Sequence, residues 1–265
     1  MTSIRSNPIR KPAVAGLFYP DDAHRLSQDI RVLIDSARQY DLTPKALIVP
    51  HAGYVYSGAI AATAYRTLLA VAESIKRVVL LGPSHRVVLH GLALPGVACF
   101  DTPLGSVQVD TESVRAISDF SQVIISTDAH LLEHSLEVQL PFLQQVLKEF
   151  KLLPLAVGVA SAEDVAEVLD KVWDNDETLI IVSSDLSHYL PYPVAQKVDK
   201  TTVQSILQLR QPISHEQACG ATPVNGLIAV ARRRHLKPHL LDLRNSGDTA
   251  GSREQVVGYA AIAFC

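Results

Sequence analysis

Cysteine is scarce in this 265-residue chain. There are three, Cys99, Cys219 and Cys265, widely spaced and without a CxxC pair, which argues against both a zinc ribbon and a disulfide framework. An excess of one charge is missing too, since 24 Lys and Arg stand against 27 Asp and Glu for a net charge of −3. The one basic cluster, Arg232-Arg233-Arg234, falls late in an expected helix and reads as a solvated helix end, so no nucleic-acid partner is expected. No apolar run approaches the roughly 20 residues of a membrane span. Residues 1–12 are polar and basic without the apolar stretch of a secretory signal, and a cytoplasmic location is expected. The chain has no repeat of fixed period and no linker-like stretch, which leaves a single domain over residues 1–265 with 1–12 as a loose arm. A helical HExxH is also absent.

What is present is an ordinary globular composition, 48% hydrophobic and 19% charged, and one pattern that recurs. Ala46-Leu47-Ile48-Val49 is a short apolar strand that stops at Pro50, which cannot donate to a sheet ladder, and presents His51 before Gly53. Arg77 to Leu81 is followed by Gly82-Pro83-Ser84-His85, and Leu179 to Val182 by Ser183-Ser184-Asp185-Leu186-Ser187-His188. Each strand delivers a histidine just past its end. In open α/β sheets the crevice beyond the carboxyl ends of the strands is where ligands bind. Imidazoles gathered there suit a first-row transition metal.

The remaining chain reads as alternating strands and helices, an α/β domain with a mainly parallel central sheet flanked by helices. Residues 13–20 read as a short extended piece. Asp21 or Asp22 caps a helix whose Leu26, Ile30, Leu33, Ile34 and Ala37 share one face. A helix is expected over 57–72, and a hairpin or extended excursion between 91 and 110, where Pro95-Gly96 and Thr102-Pro103 mark turns. Residues 121–126 read as a strand, 132–150 as one helix, 152–157 as a strand and 162–172 as a helix. Helices over 194–209 and 217–234, then strands over 238–243 and 256–264, complete the pattern.

Several polar groups are candidates to join the histidines. Asp185 either orients an imidazole or caps the next helix. His134 and Glu137 fall i, i+3 on the expected helix and share a face within Glu133-His134-Ser135-Leu136-Glu137. Tyr54 flanks the first histidine and would line a pocket. Cys219, before Gly220 in a helix of small residues, reads as packing rather than as a nucleophile.

Pro50-His51-Ala52-Gly53-Tyr54, Gly82-Pro83-Ser84-His85, Glu133-His134-Ser135-Leu136-Glu137, Ser184-Asp185-Leu186-Ser187-His188 and Asn245-Ser246-Gly247-Asp248, in this order and spacing, resemble the Memo family. Its bacterial and archaeal members are called AmmeMemoRadiSam system protein B. Residues 10–20 resemble that family's start. The resemblance implies a fold similar to class III non-haem iron extradiol dioxygenases, in which two histidines and a carboxylate hold Fe(II) and a further histidine is the acid/base. By position, His51 and His85 would be metal ligands and His188 the acid/base. Animal members place a cysteine as third ligand; residues 245–249 have none, which leaves Asp248 as the carboxylate. The implied metal is Fe(II), then copper, with zinc behind both. Two functions follow as expectations: redox or oxygenase-like chemistry on an unknown substrate, or a non-catalytic module binding a peptide or small molecule. The resemblance also implies partnership with a radical SAM protein and an AMMECR1-like protein.

Overall fold

The continuous apolar runs pair as neighbours in the middle of one sheet, because a strand with no polar face has to be covered on both sides. The computed structural model describes residues 8–265. Its strands in chain order are β1 (Ile9–Arg10), β2 (Ala46–Val49), β3 (Arg77–Pro83), β4 (Leu92–Leu94), β5 (Cys99–Thr102) and β6 (Gly105–Gln108). Then follow β7 (Val123–Ile125), β8 (Lys151–Val157), β9 (Thr178–Ser183), β10 (His188–Leu190), β11 (Pro238–Asn245) and β12 (Val256–Phe264). The α-helices are α1 (Ala23–Ser36), α2 (Tyr54–Arg66), α3 (Thr111–Ile117), α4 (Thr127–Leu131), α5 (Leu140–Val146), α6 (Ala162–Val172), α7 (Tyr192–Leu207) and α8 (Ala221–Arg233).

The large sheet runs β10-β12-β2-β9-β3-β8-β4-β7, with β11 also on β12. Its centre, β2-β9-β3-β8, is parallel throughout. The flanks are mixed: β12 runs antiparallel to β2, β10 and β11, and β4 antiparallel to β8. Along each central strand alternate side chains enter opposite cores. Leu47, Val49, Leu80 and Ile181 pack with α1, α2 and α5 on one face. Ile48, Leu81, Ile180 and Val182 pack with α6, α7 and α8 on the other. The strands β5 and β6 form the expected hairpin, in a separate small sheet with β1.

Three local expectations are corrected. The helix expected over 132–150 is broken into α4, an irregular stretch, a 3-10 turn at Glu137–Gln139, and α5, which ends at Val146. The Glu133 carboxylate accepts the N–H groups of His134 and Ser135 at 2.9 Å each, a local alternative to helical pairing. Pro141 opens α5, where its missing N–H costs nothing. Residues 13–20 are a closed turn rather than an extended piece, with Phe18 N–H on the Val14 carbonyl and Gly16 N–H on that of Tyr19. Of the arm, residues 1–7 lie outside the described residues, while β1 pairs with β5 and Arg10 is buried.

Because β2, β9, β3 and β8 point the same way, the segments after them share one edge of the sheet. The segment after β8 needs Gly158: a Cβ there would sit 2.0 Å from the Leu89 carbonyl oxygen, which accepts the Val159 N–H at 2.8 Å. Gly158→Ala is therefore expected to cost about 1–3 kcal/mol, the usual penalty of forced overpacking. A urea midpoint equal to the parent's would show that the 84–91 loop yields freely.

Candidate metal centre

Pro50 ends β2, so His51 leaves the sheet while still anchored beside β9. Its N–H donates to Asp185 Oδ1 at 2.7 Å and its Nδ1 lies 2.9 Å from Ser183 Oγ. That hydroxyl has one proton, which goes to the Ser135 carbonyl at 2.6 Å, and it already accepts from Gln139 Nε2 at 2.7 Å. It can only accept from His51, so Nδ1 carries the proton and the Nε2 lone pair faces the Cys219 thiol, 3.3 Å away.

His85, past the end of β3, is set the same way by a carboxylate. Glu133 accepts the His85 N–H and, at 2.9 Å, its Nδ1. A carboxylate cannot donate, so Nε2 of His85 is again the free nitrogen. The irregular stretch after α4 that carries Glu133 also carries His134, whose ring stacks on His85 at 4.8 Å and meets His51 edge-on at 5.5 Å. One ring nitrogen from each of His51, His85 and His134 lies within 4.8 Å of the others.

Cys219 reaches the same point from the turn before α8. Its Sγ is 3.3 Å from His51 Nε2. Gly220 makes the approach possible, since a Cβ there would come within 2.7 Å of the Ser184 Cβ.

The site is an electrostatic compromise. Burial first, then the neighbouring His85 and His134, push His51 well below the ordinary imidazole range, so it is neutral. The 4.0 Å approach of Asp185 Oδ2 to its Nε2 is thus no ion pair. Burial lowers His134 to about 4 against the opposing charge of Glu133. Burial would raise Glu133, but hydrogen bonds and charge from His85, with the backbone N–H groups, hold it at about 2. Burial lifts Asp185 to about 6 and, with the Asp185 charge adding, lifts the Cys219 thiol to about 12. Three converging imidazoles, a thiol among them, and a carboxylate behind one ring form a donor set that fits a transition metal.

The expected site residues divide clearly. His51 and His85 converge, and His134 joins them directly rather than from the periphery. His188 lies beside the cluster: its charge acts on His51 and Asp185, and its Nδ1 faces the Leu186 carbonyl at 2.9 Å. Asp185 holds the His51 backbone and caps no helix, because α7 starts only at Tyr192. Cys219 is not mere packing. Asp248 is not in the cluster; one oxygen accepts the Tyr192 hydroxyl and the other the Asn245 N–H, closing its own 3-10 turn. Glu137 faces away, taking the Arg10 guanidinium, the Ala13 and Val14 N–H groups and the Tyr19 hydroxyl. Tyr54 does not line the crevice; it donates to the Val138 carbonyl and packs on Phe142 and Tyr19. Glu133 is the residue that sequence reasoning misses, although its signal is present: an acidic residue beside a histidine in a stretch too polar to pack.

These shifts set a pH dependence for the metal-free protein. His134 and His130, the latter lowered by burial to about 4, stay neutral when folded and titrate near 6.5 when unfolded. The unfolded chain then binds more protons below pH 6.5, and stability falls as pH drops towards 4, by at most about 3 kcal/mol for each. His51 adds in the same direction. Asp185, raised by burial to about 6, opposes it below that pH, and Asp199, also raised by burial, acts in the same opposing sense. The thermal midpoint after chelation is expected to fall between pH 7 and 4.5; a flat or rising profile would contradict the neutral-histidine assignment.

The family described as Memo-like protein matches residues 10–263. A MEMO1 family protein of Aquifex aeolicus (strain VF5) is 37% identical over 97% of this chain and 99% of its own length. One from Archaeoglobus fulgidus is also 37% identical, with the same coverage of both chains. A crystal structure titled as an uncharacterized protein JW3007 from Escherichia coli K12 shares the fold, with a TM-score of 0.54 at 14% identity, covering 83% of this chain and 99% of that one. Among the described residues no helix is long and apolar enough to cross a membrane.

Proposed function

Since the chain belongs to the Memo-like protein family, we propose that its crevice is a metal centre for redox or oxygenase-like chemistry on a small organic molecule. One observation carries the reading: the three imidazoles converge, and fixed partners on Nδ1 of His51 and His85 leave Nε2 of each as the nitrogen available to an ion. Fe(II) is the first metal proposed and copper the second, with zinc behind them, because imidazole and thiolate donors suit all three and the family resemblance favours iron. When bound, such a metal supplies Lewis acidity and one-electron chemistry.

The chain's own residues would do the rest. His51, His85 and His134 would hold the ion, and the Cys219 thiol, 3.3 Å from His51 Nε2, would lose its proton on joining them. Glu133 fixes the ring of His85 and keeps its tautomer. His188, beside the cluster but outside it, would exchange a proton with a bound molecule, and Asp185 would offer a second proton-holding group. Elemental analysis of protein purified without a His-tag and without chelators tests the reading. About one iron or copper per chain is expected; zinc alone would redirect it to hydrolysis, and protein that takes up no metal would end it.

A further inference from the structure

Beside the metal cluster lies a cleft of about 360 Å³ whose lining includes His85 and Cys219. Its walls are Val87, Leu89, Val157 and Val159, and Val88 at the rim is 91% exposed. Apolar surface left open beside a polar floor marks a place where something apolar docks. The walls are rigid, since the 84–91 loop is tied to residues 157–159 by four backbone hydrogen bonds: Ser84 to Val157, Gly91 to Val159, Gly158 to Gly91 and Val159 to Leu89.

Arg86 lines the same cleft. Among the described residues no carboxylate pairs with Arg86, and the nearby Glu133 carboxylate is engaged by His85 instead. Its charge nevertheless reaches His134. This exposed guanidinium, with no carboxylate partner of its own among the described residues, presents a planar fork that matches a carboxylate. His215, also in the lining, has its Nε2 turned to Thr222 Oγ1 at 3.3 Å and offers the cleft no negative charge.

We propose that this cleft binds an organic carboxylate with a compact apolar body, its anionic end on Arg86 and its body between Val87, Leu89, Val157 and Val159. This deepens the metal-centre reading by naming the substrate class, and it rests on that reading for its catalytic meaning. The binding itself does not require the metal, which makes the two separable.

The test is a titration of chelator-treated full-length protein with benzoate and with its neutral isostere benzamide, followed by NMR shifts of backbone amides. Benzoate is expected to bind about tenfold more tightly, the worth of one charge-assisted pair. Arg86→Gln should bring the two to equal affinity while benzamide binding stays unchanged. Equal affinity in the parent protein, a preference that survives Arg86→Gln, or shifts confined to residues outside the cleft would each overturn the proposal. So would benzoate binding seen only after metal is added, since the carboxylate would then sit on the ion. Inorganic phosphate binding as tightly as benzoate would remove the apolar body from the recognition. Failure to take up metal, measured separately, would sink the metal-centre reading without touching this result.

Discussion

Glu137→Ala is expected to destabilise the protein by about 3–5 kcal/mol, the cost of breaking a buried ion pair from one side. Glu137 is fully buried and Arg10 is 2% exposed. The carboxylate neutralises that guanidinium and accepts the N–H groups of Ala13 and Val14 at 2.8 and 3.0 Å, together with the Tyr19 hydroxyl. Removing it leaves a buried charge and three donors without partners at once. Arg10 also donates to the carbonyls of His130 and Glu133, so the damage spreads to the stretch carrying His134. Lys148→Ala, which breaks an exposed pair with Glu73, is the control and should leave the urea midpoint nearly unmoved. If the two variants unfold together, water reaches the Arg10 pair and its burial has been misjudged.

The second large effect concerns metal. His51→Ala, His85→Ala and His134→Ala are each expected to abolish tight binding of Fe(II) or copper in an anaerobic calorimetric titration, because each removes one of the three converging nitrogens. His188→Ala and Asp248→Ala should retain it: His188 is outside the cluster, and the Asp248 oxygens are taken by Tyr192 and Asn245. Glu133→Gln should fall between, losing about 10–100-fold in affinity as the outer carboxylate of a histidine ligand. Its amide can still accept from the His134 and Ser135 N–H groups, so the fold should survive. Loss of metal from His188→Ala as complete as from His51→Ala would make His188 a ligand and end its acid/base role. Unchanged affinity in His134→Ala would give the third position to Cys219.

Secondary structure on the page of residues was reliable where the signal was local and failed where a side chain intervened. The apolar runs of β2, β3 and β9, the cap at Asp22 and the capped helix over 162–172 depend on periodicity and punctuation within a few residues. The break at 132–139 does not: it depends on whether the Glu133 carboxylate faces solvent or folds back on its own backbone, and periodicity is blind to that. The N-terminal arm is the same case. Arg10 reads as one of several solvated charges until Glu137, 127 positions away, is found against it.

The candidate site divides along the same line. That histidines stand at the carboxyl ends of parallel strands was determined by the sequence alone, because a strand's end is written in the residues that stop it, and parallel strands put their ends on one edge. Which groups close around those histidines was decided only by tertiary structure. Cys219 meets His51 across 168 positions, through a helix start whose Gly220 lets it pack against the segment after β9. Glu133 meets His85 across 48 positions. Asp248 had the right chemistry, but its carboxylate was consumed by the turn it belongs to. Ligand type is a property of a residue, whereas a free lone pair aimed at a shared point depends on what every neighbouring donor and acceptor has already taken.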